Sequence, residues 1–114
     1  MIAARRTLKW RDGDRLIEIP IRIFVPERAA DGTWFCRYEV GWPEGVRQSR
    51  AGGVDSAQAL LLAMQMIGSE IYTSGYHKSG NLFLDASGRG YGFPVPATLR
   101  DLLQGDDRID AGVV

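Results

Sequence analysis

Two side chains in the sequence could support nucleophilic chemistry: Cys36, the only cysteine, and His77, the only histidine. A thiolate–imidazole pair would need both of them at one site. Cys36, however, alternates with Trp34 and Tyr38 on one face of a predicted strand, where a cysteine usually acts as a small buried hydrophobe. His77 lies in a Gly- and Ser-rich stretch, which predicts an exposed loop residue. We therefore expect no catalytic pair here.

The remaining polar residues lack the spacing of a metal or phosphate site. One histidine and one cysteine cannot build a multi-His or multi-Cys site within the chain, and the aspartates do not follow a calcium-loop spacing. The glycine-rich segment 88–92 is followed by Pro94 and Pro96 rather than by a helix, so it predicts a loop with positive φ instead of a phosphate cradle. We predict no metal and no cofactor.

Basic and aromatic side chains share the predicted outer face of a sheet. Such a face can bind an acidic protein, because arginine and aromatic residues are favoured at interfaces. It can also bind single-stranded nucleic acid by charge attraction and stacking, or remain an ordinary solvated face. The binding candidates on this face are Arg22, Phe24, Phe35, Arg37 and Arg47.

A predicted helix carries the second candidate surface. Its core stripe is expected to contain Leu60, Met64, Ile67 and Ile71. Leu61, Leu62 and Met66 lie beside the polar stripe instead, so either the C-terminal segments or a partner must cover them. Two residues of the later loops, His77 and Arg89, complete the set of partner-binding candidates.

Period-two alternation predicts four antiparallel strands in the first half of the chain. The predicted strands lie in the hairpin 4–25, which turns at 11–14, and in the segments 34–42 and 46–51, joined by a three-residue turn at 43–45. Pro20 has no N–H group, which predicts an edge strand or a bulge at that position.

The second half of the chain changes to a helical period. Asp55 and Gln58 form a capping-box pattern that begins a predicted helix over 55–73. A short strand at 81–85 and a short helix at 97–104 follow. The predicted fold is therefore α+β: a four-stranded antiparallel meander packed on one long helix, with a short extra strand or hairpin and a short C-terminal helix. Residues 1–105 are expected to form one domain and residues 106–114 an acidic, flexible tail.

Length and charge exclude some classes of protein. The chain has 114 residues, enough for a single core, and its 14 basic and 14 acidic residues balance. That balance argues against a uniformly basic nucleic-acid binder. The charge is nevertheless divided: residues 1–50 carry ten basic against seven acidic groups, and residues 51–114 carry four against seven. With a single cysteine and no long apolar run, we expect a cytoplasmic protein that is not bound to a membrane.

The helix entry Gly53-Val54-Asp55-Ser56-Ala57-Gln58-Ala59-Leu60, after a strand-rich first half, resembles a family of small bacterial domains of unknown function. Those domains similarly begin with a short basic strand, here Ala4-Arg5-Arg6-Thr7-Leu8, and the resemblance covers roughly residues 2–85. It implies a fold and supplies no catalytic residues. The layout is also similar to that of small immunity proteins that neutralise the toxins of bacterial competitors, which is an analogy of architecture.

These observations predict a non-catalytic protein-binding module, with a bacterial immunity protein that neutralises a toxin or effector as the leading hypothesis. One alternative is a single-stranded nucleic-acid binder that uses the basic outer face of the sheet. A second is a small enzyme of unknown reaction that uses His77 and Asp85 in the 76–92 loop. The expected partner is a protein, with a homodimer as a further alternative.

Overall fold

The computed structural model describes residues 1–110 and has an α+β architecture, with one antiparallel sheet and a long helix on one of its faces. The strands are β1 (Ile2–Asp12), β2 (Arg15–Phe24), β3 (Glu27–Arg28), β4 (Trp34–Trp42), β5 (Gly45–Gly53) and β6 (Leu82–Phe83). The helices are α1 (Ser56–Tyr72), α2 (Gly75–Lys78), a 3₁₀ helix (Ala97–Leu102) and α3 (Asp106–Asp110). Within these residues, no helix is both long and apolar enough to cross a membrane.

Strand β4 pairs with more strands than any other strand of the sheet. It pairs with β5 along one side, and with β2 and the short β3 along the other. β1 pairs with β2, and β6 adds to the far side of β1. The predicted α+β class and the antiparallel sheet are confirmed. The sheet has six strands: the four strands of the predicted meander, the short strand predicted at 81–85, which is β6, and the unpredicted two-residue β3, which continues the line of β2.

The position of Pro20 differs from the expectation of an edge or a bulge. β2 lies between β1 and β4, and Pro20 faces Thr7 in an undisturbed register. The ladder from β2 to β4 is formed by residues 21–23, so the proline lies just outside it. The missing N–H group therefore interrupts no bond of that ladder. The proline ring instead covers Gly41 of β4, where an added Cβ would lie 2.9 Å from it.

The two sides of the sheet differ as the alternation predicts. In β2, Ile19, Ile21 and Ile23 are buried, whereas Arg22 between them is exposed. The buried residues of the neighbouring strands are Leu8, Cys36, Tyr38, Val40 and Ala51. These side chains form the core beneath α1, so the opposite side of the sheet is left as the outer face.

Helix α1 begins with the predicted capping box. The Asp55 carboxylate accepts the backbone N–H of Gln58 at 2.8 Å, and the Gln58 side-chain oxygen accepts the N–H of Val54 at 2.7 Å. These two bonds satisfy donors that the first helical turn cannot pair internally.

The core stripe of α1 is rotated from its expected position. Ala59, Ala63 and Ile67 are fully buried, while Leu60 and Met64, which were predicted for the core, are half-buried. Alanine at two of the buried positions lets the helix approach the sheet more closely than leucine would.

The C-terminal part of the chain returns across α1 as an extended segment. A Cβ on Gly68 would lie 1.9 Å from the Pro94 carbonyl oxygen, so the segment touches the helix backbone at this point. Tyr91, Phe93 and Val95 are buried on either side of the crossing.

Residues 106–110 differ from the predicted flexible tail. They form α3, and Asp107 is only 4% exposed. Residues 111–114, the rest of that predicted tail, lie outside the described residues.

The close crossing predicts that Gly68→Ala destabilises the fold, although alanine is the better helix former by about 1 kcal/mol. The methyl group would have to displace the Pro94 backbone. We expect a net loss of about 1–3 kcal/mol in the free energy of unfolding, measured by urea titration. The control is Gly75→Ala, since a Cβ on Gly75 meets nothing within 4 Å. Equal effects of the two substitutions would contradict the close crossing.

Candidate functional site

The strand register places the outer-face candidates in rows. Arg22 pairs across the sheet with Arg5 on one side and Glu39 on the other, and Glu39 pairs with Gln48. The Arg22 guanidinium lies 3.6 Å from the Glu39 carboxylate, which also accepts a 2.8 Å bond from the Gln48 side chain. Glu39 therefore compensates part of the positive charge in this row.

The adjacent row contains no ion pair among residues 1–110, although Glu27 of β3 lines the same surface depression. Arg37 and Arg50 oppose each other on β4 and β5. The Arg37 guanidinium lies 4.7 Å from the centre of the Phe24 ring, and the Arg50 guanidinium lies 4.0 Å from that of Phe35. Among residues 1–110, no carboxylate lies within ion-pair distance of either guanidinium. These two cation–π pairs hold both charges at the surface with their N–H donors available.

The Phe35 ring packs on the backbone of Gly52, which has no side chain. An added Cβ on Gly52 would lie 3.3 Å from the Phe35 ring, so the ring covers this glycine of the neighbouring strand. With Arg50 over the same ring, Phe35 is half-buried. The structure thus brings Phe24, Phe35, Arg37 and Arg22 together on the outer face, and adds Arg50, which the sequence reasoning did not select.

The prediction that Arg47 lies on this face is wrong. Arg47 opposes the buried Val40 and therefore points to the helix side of the sheet. Its guanidinium bonds the Glu70 carboxylate of α1 at 2.8 Å. Glu70 also accepts the hydroxyl of Tyr38. Burial, together with this hydrogen bond, raises the pKa of Tyr38 to about 12, so the hydroxyl remains a donor at neutral pH.

The helix candidates have different environments. Leu61 is 51% exposed, whereas Leu62 and Met66 are half-buried against the core. Leu62, Met66 and Glu70 follow one another at intervals of four residues and so form one stripe of α1. Because Glu70 bonds Arg47 of β5, this stripe faces the β5 side of the sheet. The chain itself therefore covers part of the predicted apolar surface.

His77 is half-buried in a polar network and does not lie in an exposed loop. It lies in α2, which begins where the Ser74 hydroxyl accepts the N–H of His77 at 3.1 Å. The ring packs edge-on against Tyr72 and Tyr91, and its Nδ1 lies 2.5 Å from the Tyr91 hydroxyl. Burial lowers the pKa of His77, which favours the neutral ring at pH 7.

Asp107 is the acidic member of the same network. Its carboxylate accepts the backbone N–H groups of Tyr91 at 2.8 Å and Gly92 at 2.7 Å, and also the hydroxyl of Tyr72. Arg6 of β1 holds the same segment from the sheet side, because its guanidinium donates to the carbonyl oxygens of Tyr91 and Gly92 at 3.2 and 2.9 Å. Burial, with the Asp107 hydrogen bond, raises the pKa of Tyr72. These contacts attach the C-terminal segment to α1 and to the sheet.

Arg89, the last candidate, is exposed and paired. Its guanidinium lies 3.3 Å from the Asp106 carboxylate, and its carbonyl accepts the Asp106 N–H at 2.8 Å. Arg89 therefore contacts α3 and has no position on the outer face of the sheet.

Cys36 is buried in the sheet as predicted. Its thiol donates to the Phe24 carbonyl at 3.3 Å, and burial raises its pKa. The carboxylate in the network that contains His77 is that of Asp107. In the described part of the chain, no three His, Cys, Asp or Glu side chains are grouped to hold a metal ion.

Comparison with known proteins identifies the family. The model of a domain of unknown function, DUF6968, matches residues 4–95. The chain belongs to this family. The predicted resemblance to a small domain family of unknown function is thereby confirmed, and its extent is close to the one expected from the helix-entry motif. Searches of curated proteins and of solved structures gave no match. The 3₁₀ helix and α3, with Asp107, lie beyond the matched residues.

The buried carboxylate predicts a large difference between two neighbouring aspartates. Asp107→Asn replaces one acceptor oxygen by an amide donor that would face a backbone N–H, so we expect a loss of about 2–4 kcal/mol in the free energy of unfolding. Asp106→Asn is the matched control, because its ion pair with Arg89 is exposed and should contribute less than about 1 kcal/mol. Urea titrations at pH 7 that gave equal losses would contradict this role of Asp107.

The lowered pKa of His77 predicts an acid-sensitive fold. The folded chain binds this proton less readily than the unfolded chain, whose histidine has a pKa of about 6.5. The free energy of unfolding should therefore fall as the pH falls from about 7 towards 5. Urea titrations at several pH values test this, with His77→Gln as the variant that should lose this part of the pH dependence. If the free energy of unfolding of His77→Gln depended on pH as it does in the unsubstituted chain, the prediction would be wrong.

Proposed function

We propose that the chain is a non-catalytic binding module that holds an acidic protein surface against the outer face of its sheet. The observation that carries this proposal is the row of Arg37 and Arg50, whose guanidinium groups lie on Phe24 and Phe35 without a carboxylate partner. Guanidinium groups fixed in this way lose little side-chain entropy when they bind a carboxylate, and each can bind one in bidentate geometry.

The acidic character of the proposed partner follows from the positive charge of the outer face. Exposed arginine beside aromatic rings is the composition of binding hot spots in protein interfaces. A toxin or effector with an acidic surface is the partner we propose to look for first. The support for that choice is the architectural analogy with immunity proteins, which the charge of the outer face neither requires nor opposes.

Single-stranded nucleic acid is the second candidate, because phosphates would also meet Arg22, Arg37 and Arg50. In such complexes, bases usually stack on open aromatic rings. Phe24 and Phe35 each have a guanidinium over the ring, and Phe35 also lies on Gly52. Bases would have to stack on guanidinium groups or displace them, which is why we rank the acidic protein first.

Charge reversal on the outer face tests the proposal. We expect Arg37→Glu/Arg50→Glu to weaken binding of a 20-residue glutamate-rich peptide about tenfold or more, measured by fluorescence anisotropy at fixed salt. The matched control is Arg15→Glu/Lys78→Glu, which changes the net charge equally at two exposed positions away from the row. Its affinity should remain within about threefold of the unsubstituted chain.

The same variants decide between the candidates. A protein captured from the native host should bind the unsubstituted chain and the control, but not the outer-face variant. If both double variants lost the same affinity for the peptide, binding would depend only on net charge. That result would contradict the proposed binding site on the outer face. Tighter binding of a single-stranded oligonucleotide than of the peptide, with log K falling linearly with log salt, would favour the nucleic-acid function.

A further inference from the structure

Strand β5 leaves one of its edges unpaired beside the candidate face. It is nine residues long, Gly45–Gly53, and within residues 1–110 it pairs only with β4. The two-residue turn between Trp42 and Gly45 makes these residues a hydrogen-bonded pair. In an antiparallel ladder, alternate residues then direct their N–H and C=O groups away from the partner strand. On β5 these are Val46, Gln48, Arg50 and Gly52.

The opposite edge of the sheet is paired along part of β1, whereas the outer edge of β5 has no paired strand within residues 1–110. At the opposite edge, β6 pairs with Lys9 and Trp10 of β1, and the Arg11 N–H donates to the Asn81 carbonyl at 3.0 Å. A register shift between Ile2 and Ala4 also disturbs the start of β1. Bulges, prolines and charged side chains are the usual protection of sheet edges. β5 has no bulge and no proline, and its ladder with β4 is regular throughout; its charged side chains are Arg47, which pairs with Glu70, and Arg50.

The two sides of the β5 edge have different chemistry. On the outer side lie Gln48 and Arg50, with Arg37 in the next strand. On the helix side, the stripe of Leu62 and Met66 faces β5. An added strand would direct alternate side chains to these two sides. Acidic side chains suit the first side and apolar side chains suit the second.

Charge excludes a second copy of β5 as the favoured occupant. β5 carries Arg47 and Arg50 and no acidic residue, so two such strands side by side would bring like charges together. Arg47 is already neutralised by Glu70, whereas Arg50 has no carboxylate partner within residues 1–110. An acidic strand from another protein supplies the missing charge.

We infer that β5 binds an extended segment of the partner as an additional strand, in which acidic side chains alternate with apolar ones. The acidic side chains contact Arg50, and the apolar side chains lie against Leu62 and Met66. This inference rests on the proposed function and adds the way in which the acidic partner binds. Backbone hydrogen bonds supply the affinity, and the two sides of the edge supply the specificity.

Amide hydrogen exchange provides the first test. The probe is a capped nine-residue peptide of alternating glutamate and valine, added to the ¹⁵N-labelled full chain. Exchange at Val46, Gln48, Arg50 and Gly52 should slow markedly, while the amides of Arg47 and Ser49, already bonded to β4, should change little. Peptide binding without slower exchange at these four amides would overturn the inference. Absence of binding would overturn the proposed function as well.

A proline at the edge provides the second test. Gln48→Pro removes an outward N–H that β4 does not use, and edge strands tolerate such a proline. The control is Gln48→Ala, which also removes the side-chain bond to Glu39 but keeps the N–H. We expect the proline variant to bind the nine-residue peptide about tenfold or more weakly than the alanine variant. If the proline variant does not fold, the exchange measurement on the unsubstituted chain decides.

The outcomes separate this inference from the proposed function. If Gln48→Pro binds the nine-residue peptide as well as Gln48→Ala does, while Arg37→Glu/Arg50→Glu abolishes binding, the outer face stands and strand addition is overturned. A dimer of the free chain in sedimentation that Gln48→Pro dissociates would make a second copy the occupant and would also overturn the inference.

Discussion

The carboxylate of Asp107 is the contact on which the C-terminal third of the chain depends. A buried charge is costly unless hydrogen bonds replace its lost water. Here the backbone N–H groups of Tyr91 and Gly92 and the hydroxyl of Tyr72 do so. These donors belong to α1 and to the segment that crosses it, so the carboxylate is satisfied only when both are in place. Because the Tyr91 hydroxyl also contacts His77, the position of α2 depends on the same attachment of the C-terminal segment to α1.

A second polar contact fixes the relation between α1 and the sheet. Glu70 accepts from Arg47 of β5 and from Tyr38 of β4, so one carboxylate ties the helix to two neighbouring strands. The apolar contacts of Ala59 and Ala63 bring the helix close but have little directional preference. The Glu70 bonds supply that direction. They also determine which stripe of α1 faces the β5 edge and keep Leu62 and Met66 there.

Local patterns predicted most of the fold, because hairpins and helix caps are encoded by near neighbours. The alternation in β2 and the Asp55 cap are examples. The error at Arg47 has a definite cause: a three-residue turn at 43–45 was expected, whereas Gly45 already pairs with Trp42. A shift of one residue reverses the face of every side chain in a strand. The expected three-residue turn therefore placed Arg47 on the outer face of the sheet. A two-residue turn would have placed Arg50 on that face instead. The burial of Asp107 had no local signal, since its partners lie at least 15 positions away in the sequence.

Part of the balanced charge is paired inside the molecule. Glu70 pairs with Arg47, Asp106 with Arg89, and Glu39 with Arg22. The first two pairs join a residue of the second half of the chain to a basic group that lies elsewhere than on the outer face. The acidic excess of residues 51–114 therefore does not neutralise Arg37 and Arg50, which are carried on the far side of the sheet from α1. A chain with no net charge can thus present a local positive surface. Since that surface adjoins the edge of β5 that has no paired strand within residues 1–110, charge attraction and strand pairing would act together on the proposed acidic segment.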